Sequence, residues 1–260
     1  MRNLAVVIGI VVLASACSYR AELPTAEDLL AKVTAAYGAM RSFEVDTREV
    51  IETHNGTGTK TAHLAMEKSE KAGRAIEKFA VVSKETQALN NGRVSVEEGK
   101  IVSDGNVMWG ERRRSDDEVI RVRKEAAEGP EAVGLCNMFA KAMARDWKRY
   151  HLKVAGQDAI DGEKMYLLEG SLDPAELAGN EVFEAETHRV WVRQADFVIR
   201  RTVTTSHLFG RDQPAVVVKD WLNVKVNQPV APALFVYTPP EGASIDDKTQ
   251  EKPKPRKEPR

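Results

Sequence analysis

Much of what reactive chemistry needs is scarce in this chain. Its 260 residues include only two cysteines, Cys17 and Cys136, too few for a disulfide framework or a thiolate metal site. The five histidines, His54, His63, His151, His188 and His207, show no paired metal-ligand spacing. No Gly-x-Ser-x-Gly elbow is present. Gly56-Thr-Gly58 reads as a hairpin turn, because no helix follows it to receive a phosphate. The 38 basic and 39 acidic residues nearly cancel, to a net charge of −1, which argues against nucleic acid as the main partner. These absences point away from an enzyme, a metal protein or a cofactor carrier. Long apolar runs are also missing, with one exception at the start.

That exception is residues 4–14, which follow Arg2 and end in Ser15-Ala-Cys17. A basic start, an apolar middle and small residues before a cleavage point make a secretory signal. The run is shorter than the roughly 20 residues of a membrane span. With cysteine directly after the small residues, it resembles a bacterial lipoprotein signal, although Ala14 stands where that pattern prefers leucine. The resemblance implies removal of 1–16, lipid attachment at Cys17 and a tether over 17–24. Loss of Arg2 takes the net charge from −1 to −2. Cys136 is then the sole remaining cysteine, and it falls on an apolar helical stripe. It reads as a buried free thiol.

Thr25-Ala-Glu-Asp28 resembles a capping box. Ala26, Leu29, Leu30, Val33, Tyr37 and Met40 follow at helical spacing and predict an amphipathic helix over 26–40. From Ser42 the period becomes two, with Phe43, Val45 and Ile51 on one face of a strand. Asn55-Gly56 marks a hairpin. Further turns fall at Asn91-Gly92, Asp104-Gly105 and Asp161-Gly162. Strands fit 59–68, 74–83, 93–103, 106–111, 118–124, 151–157, 164–170, 183–193, 197–207 and 215–226. So many strands argue for an antiparallel sheet large enough to curl. Helical segments interrupt it at 130–149, where Cys136, Phe139, Ala140, Met143, Trp147 and Tyr150 share a stripe, and briefly at Asp173–Leu177. From Lys248 onward there are six basic and two acidic residues, and 246–260 is expected to be disordered.

Four stretches resemble the LolA/LolB-like family of periplasmic lipoprotein carriers. They are the first helix running into a strand (Thr25 to Phe43), Ile101-Val-Ser-Asp-Gly-Asn-Val-Met-Trp109, the central helix with Asp146-Trp147 and Tyr150, and Leu234-Phe-Val-Tyr-Thr-Pro-Pro-Glu-Gly-Ala-Ser-Ile-Asp-Asp247, read as a closing strand and turn. The family extends to sensors of the RseB/MucB type and glycolipid carriers of the LppX/LprG type. Lys71-Ala-Gly-Arg74 stands where the soluble carrier has an Arg-Pro pair. The resemblance implies a mainly β, α+β fold: a half-open antiparallel β-barrel over 25–245, covered by the N-terminal helix and the central helical insertion. It implies no catalysis, and acyl chains of lipoproteins or lipids as ligands. The implied setting is the bacterial envelope, facing the periplasm, with a donor carrier or membrane transporter as a possible partner. Ser18 follows Cys17 where an inner-membrane retention signal has Asp, which favours the outer membrane. A lipid-sensing regulator of the RseB/MucB type is the alternative.

An acyl carrier needs an apolar concavity. The expected lining is Phe43, Val45, Ile51, Leu64, Met66, Phe79, Val81 and Trp109 from the sheet, faced by Met138, Phe139, Met143 and Trp147 from the helix. By pattern alone these residues fit a closed core better, because apolar stripes usually mean core; only the resemblance turns the reading to a cavity lining. Arg112-Arg-Arg114 is a basic cluster that fits a solvated loop or a contact for an anionic head group.

Overall fold

The structure is a computed structural model, and it describes residues 23–71, 74–89, 92–114, 120–126, 135–177 and 183–249. The proposed signal, Cys17 and the tail beyond Thr249 lie outside the described residues. Helix α1 spans Ala26–Ala39. Its cap is the expected one: the Thr25 hydroxyl accepts from the Asp28 amide at 3.1 Å. Leu29, Val33 and Tyr37 form its buried stripe.

Strands follow in chain order: β1 (Ser42–Thr53), β2 (Gly56–Lys71), β3 (Arg74–Leu89), β4 (Val94–Ser103), β5 (Val107–Arg114) and β6 (Arg121–Ala126). Helix α2 (Leu135–Arg149) comes next, then β7 (Lys153–Ile160), β8 (Glu163–Ser171), a single turn α3 (Pro174–Leu177), β9 (Phe183–Arg193), β10 (Ile199–Leu208) and β11 (Ala215–Val226). The chain then makes a 3-10 turn, Pro232–Phe235, and a last short strand, β12 (Ser244–Asp247). The 130–134 part of the predicted central helix lies outside the described residues.

Among the described residues the twelve strands form one sheet, ordered β12-β6-β5-β4-β3-β2-β1-β11-β10-β9-β8-β7. Each neighbouring pair is antiparallel except β12 with β6. The edge strands β7 and β12 do not pair with each other, so the sheet stays open. The α+β class and the open antiparallel architecture agree with expectation.

Two sequence expectations need correction. Leu234–Tyr237 is not a closing ladder strand. It is a strap whose Leu234, Phe235 and Tyr237 pack with Val230 on Ala65, Ala80 and Val102. Asp246 and Asp247 do not begin a disordered tail; they pair in parallel with Arg123 and Lys124. The local sequence is charged, but a non-local partner strand supplies the backbone bonds.

One face of the sheet, here the inner face, is covered by α1 and α2. Its main cluster joins Leu29, Val33, Tyr37 and Met40 to Phe43, Val45, Leu64 and Met66, and to Met143 and Trp147 of α2. Leu168, Val190 and Val192 complete it from β8 and β9. The C-terminal end of α2 sits directly on β8 at Gly170. A Cβ there would lie 2.1 Å from the Tyr150 carbonyl oxygen, so only glycine permits this approach. The strap covers the outer face of β2–β4, and a small cluster of Met165, Trp191 and Val203 covers the outer face of β8–β10.

Candidate functional site

Directly opposed residues in a sheet share a face, so the register follows the apolar inner surface strand by strand. Val45 faces Leu64, Leu64 faces Val81, Val81 faces Ile101, and Ile101 faces Gly110. A parallel row runs Phe43, Met66, Phe79, Ser103 and Met108. Burial declines along the first row. Val45 is 1% exposed and Leu64 7%, Val81 is half-buried, and Ile101 is 41% exposed. The apolar stripe therefore runs out from under the helices.

Where it emerges there is an open groove of about 610 Å³, floored by Val81, Ser83, Gly99, Ile101 and Gly110. This volume lies within the roughly 300–1,000 Å³ typical of small-ligand sites. Ser83 faces Gly99, and Gly99 faces Arg112. The two glycines keep the floor low. Arg112, Arg121 and Arg123 stand at the β5–β6 side, with Glu97 and Asp246 nearby. Arg112 donates to Glu97 at 2.6 Å, and this bond holds the Glu97 carboxyl below the usual range.

A second cleft, of about 650 Å³, lies near the β1–β11 pairing and is lined mostly by charged and polar residues. Its charges neutralise one another. Arg193 donates to Glu163 at 2.7 Å, Lys225 to Glu44 at 2.7 Å, and Asn223 to Asp46 at 2.8 Å. Asn223 and then His63 hold the Asp46 carboxyl below its ordinary value. With its acids and bases already paired, this cleft is the weaker candidate. Among the described residues no group of three or more His, Cys, Asp or Glu is placed to hold a metal, and no helix is long and apolar enough to cross a membrane.

The expected lining residues divide into four sets. Phe43, Val45, Leu64, Met66, Met143 and Trp147 come together, but as closely packed buried side chains, with Phe139, Phe79 and Val81 at the margin. Ile51 lies beyond this cluster, opposite Gly58 and Val217 and half-exposed. Trp109 does not join them. It faces Val102, hence the outer surface, and its ring lies 5.4 Å from that of Tyr237 in the strap. Tyr237 in turn donates to Glu111 at 2.7 Å. The inner-face residue at this level is Met108. The side chains of Met138 and Cys136 lie outside the described set. Ile101, Ser83, Gly99 and Gly110 were not foreseen as site residues. The usable signal was the run Gly99-Lys-Ile101 opposite Gly110, where alternation leaves one large apolar side chain among small neighbours.

Beneath the end of α2 the inner face is polar. The Tyr150 hydroxyl donates to Glu186, and Ser206 donates to the same carboxylate at 2.7 Å. The Tyr150 ring stacks on His188 at 4.8 Å, and His188 meets Thr204 at 2.9 Å. Burial pushes the His188 imidazole below its ordinary value and, with the Glu186 bond, pushes the Tyr150 phenol upward. This cluster pins α2 to β9 and β10.

No protein-family model and no curated protein matches the chain. Solved structures do. LprF from Mycobacterium bovis is 12% identical, with 79% of this chain and 94% of that chain covered, at a TM-score of 0.41. The lipoprotein LppX from Mycobacterium tuberculosis is 13% identical, with 78% and 97% covered, at 0.36. A LolA superfamily protein from Nitrosomonas europaea is 14% identical, with 83% and 99% covered, at 0.28. At such identities and TM-scores, neither ligand nor activity carries over.

Proposed function

We propose that this chain is a lipid-binding protein of the bacterial envelope that holds an acyl chain of a lipoprotein or lipid along the inner-face groove and hands it on without catalysis. One observation carries the reading: the apolar row Val45–Leu64–Val81–Ile101 continues from the closed core into an open groove. Ile101, an apolar side chain exposed on that floor, is the surface that a hydrocarbon would cover. In this reading residues 1–16 are removed, Cys17 carries the lipid anchor, 17–24 are the tether, and the domain runs from 25 to the end of β12. The anchored chain faces the periplasm, and Ser18 favours the outer membrane.

The energetics suit a carrier. Ten methylenes removed from water contribute about 8 kcal/mol. Association costs at least about 4 kcal/mol. The remainder, at most about 4 kcal/mol, corresponds to a Kd of about 1 mM or weaker, weak enough for release. A fluorescent fatty-acyl probe titrated into the purified protein tests this. Saturable binding is expected, displaced by unlabelled acyl lipid and lost in Ile101→Glu at an unchanged melting temperature. A wild-type protein that binds no acyl probe removes the reading.

A further inference from the structure

The register places six charged residues in one row on the inner face. Lys219 of β11 is opposite Glu49 of β1, and Glu49 is opposite Lys60 of β2. Lys60 is opposite Glu85 of β3, Glu85 is opposite Glu97 of β4, and Glu97 is opposite Arg114 of β5. On β1 the row lies four residues beyond Val45, and on β3 four beyond Val81, with no register shift between in the β1–β2–β3 ladder. It therefore shares the face of the apolar stripe. Each acid in it has a base: Lys219 lies 3.6 Å from Glu49, Lys60 lies 3.8 Å from Glu85, and Arg112 and Arg114 lie 2.6 and 3.7 Å from Glu97. The side chains of the row are between 24% and 57% exposed, so water reaches every member.

Between stripe and row runs one line of small residues, Thr47, Ala62, Ser83 and Gly99. The Thr47 and Ser83 hydroxyls donate to the Ala62 and Gly99 carbonyls, at 3.5 and 3.4 Å, so this line is low and its hydroxyls are engaged. Beyond the row the inner face turns apolar again at Ile51 and Val217, which are opposed. The charged row thus divides two apolar areas. Hydrocarbon laid over an ion pair strips water from two charges and offers them no new partner, a cost above the gain of each covered methylene. Along a strand, the apolar floor meets this row about 13 Å beyond Val81. Across the strands, Val81, Ile101 and Gly110 are opposed in sequence and span two strand spacings, about 10 Å.

We infer that the charged row is a specificity barrier: it turns a bound acyl chain across the strands, over Val81 and Ile101, and limits the length of hydrocarbon that the groove covers. The inference rests on the acyl-chain reading and adds the direction and length of the ligand. Methylenes beyond the limit stay in water and add no affinity.

The test ranks straight-chain saturated fatty acids, from octanoic to stearic, by displacement of cis-parinaric acid from the full chain. Each methylene that finds apolar floor strengthens binding by up to about fourfold. Wild-type affinity is expected to rise along the series and then level off. Lys60→Leu/Glu85→Leu removes both members of one exposed pair, which contributes little stability, and should keep the wild-type melting temperature. It extends the floor along β2 and β3, so stearic acid should bind about tenfold tighter than to wild type, with octanoic acid unchanged. Lys60→Glu/Glu85→Lys keeps a charged pair and should keep the wild-type plateau. A wild-type affinity that climbs steadily through stearic acid overturns the barrier, whatever the variants do, and leaves the acyl reading standing. A Leu variant with the wild-type plateau, or a charge-swapped variant that gains as the Leu variant does, has the same consequence. Displacement by no fatty acid defeats the acyl reading and the barrier with it.

Discussion

Gly170→Ala offers a sharp test of how α2 is held over the sheet. The added methyl would sit 2.1 Å from the Tyr150 carbonyl oxygen and 3.1 Å from backbone atoms of His151 and Leu152. All three obstacles are backbone, so no side chain can rotate away. The turn must lift by about 1 Å or more to restore ordinary contact. That turn carries Tyr150 and Leu152, both buried, and the Tyr150 bond to Glu186. Overpacking of this kind costs about 1–3 kcal/mol, and the lower entropy of the unfolded alanine chain offsets up to about 1 kcal/mol. A net loss of about 2 kcal/mol should lower the urea midpoint by about 1 M, at a slope of about 2 kcal/mol per M. Gly156→Ala on β7 is the control: a Cβ there meets nothing within 4 Å, so its midpoint should hold or rise. Equal midpoints for Gly170→Ala and wild type would refute direct backbone packing of α2 on β8.

Three further outcomes follow from the same placements. Val45→Glu puts a carboxylate into a site 1% exposed and should prevent stable folding, whereas Ile101→Glu should fold normally, as compared by circular dichroism. Trp109→Ala should cost about 2 kcal/mol, below the 3–5 kcal/mol of a fully buried Trp, because it strips the ring from Tyr237 on the outer face. Acyl-probe affinity should not change. His188 has its pKa lowered by burial from 6.5, so the folded state binds fewer protons than the unfolded. Stability should be complete above about pH 6.5 and decline as pH falls toward the folded value, by at most about 1.4 kcal/mol per pH unit. His188→Phe should flatten that slope in urea titrations.

Much of the architecture was legible because local signals agreed with it. The Thr25 cap and the Leu29-Val33-Tyr37 stripe define α1 without tertiary help. Strict alternation in β1, with Phe43 and Val45 inward and Glu44 and Asp46 outward, does the same for the first strand. Strands β2 and β3 run longer than their apolar cores: the backbone ladder continues through charged positions such as Lys60 opposite Glu85. Trp109 was misread because β5 has apolar residues on both faces. Val107, Met108 and Trp109 show no alternation, and only the strap from 230 to 237 explains why the outer face there is also covered. β12 was invisible because Ser-Ile-Asp-Asp has little strand propensity and its partner lies more than a hundred residues away. The groove was hidden for a related reason: Gly99 and Gly110 shape it by lacking side chains.

The central claim, that an acyl chain lies on the Val81–Ile101 floor, is tested most directly by photo-crosslinking with a diazirine-bearing fatty acid and mapping adducts by peptide mass spectrometry. Adducts should concentrate on residues of β3 and β4 around Val81 and Ile101 and on β5 around Gly110, and excess unlabelled fatty acid should suppress them. Adducts confined to the polar cleft of Asp46, Glu163 and Arg193, or spread evenly over the surface and unaffected by competitor, would contradict the account.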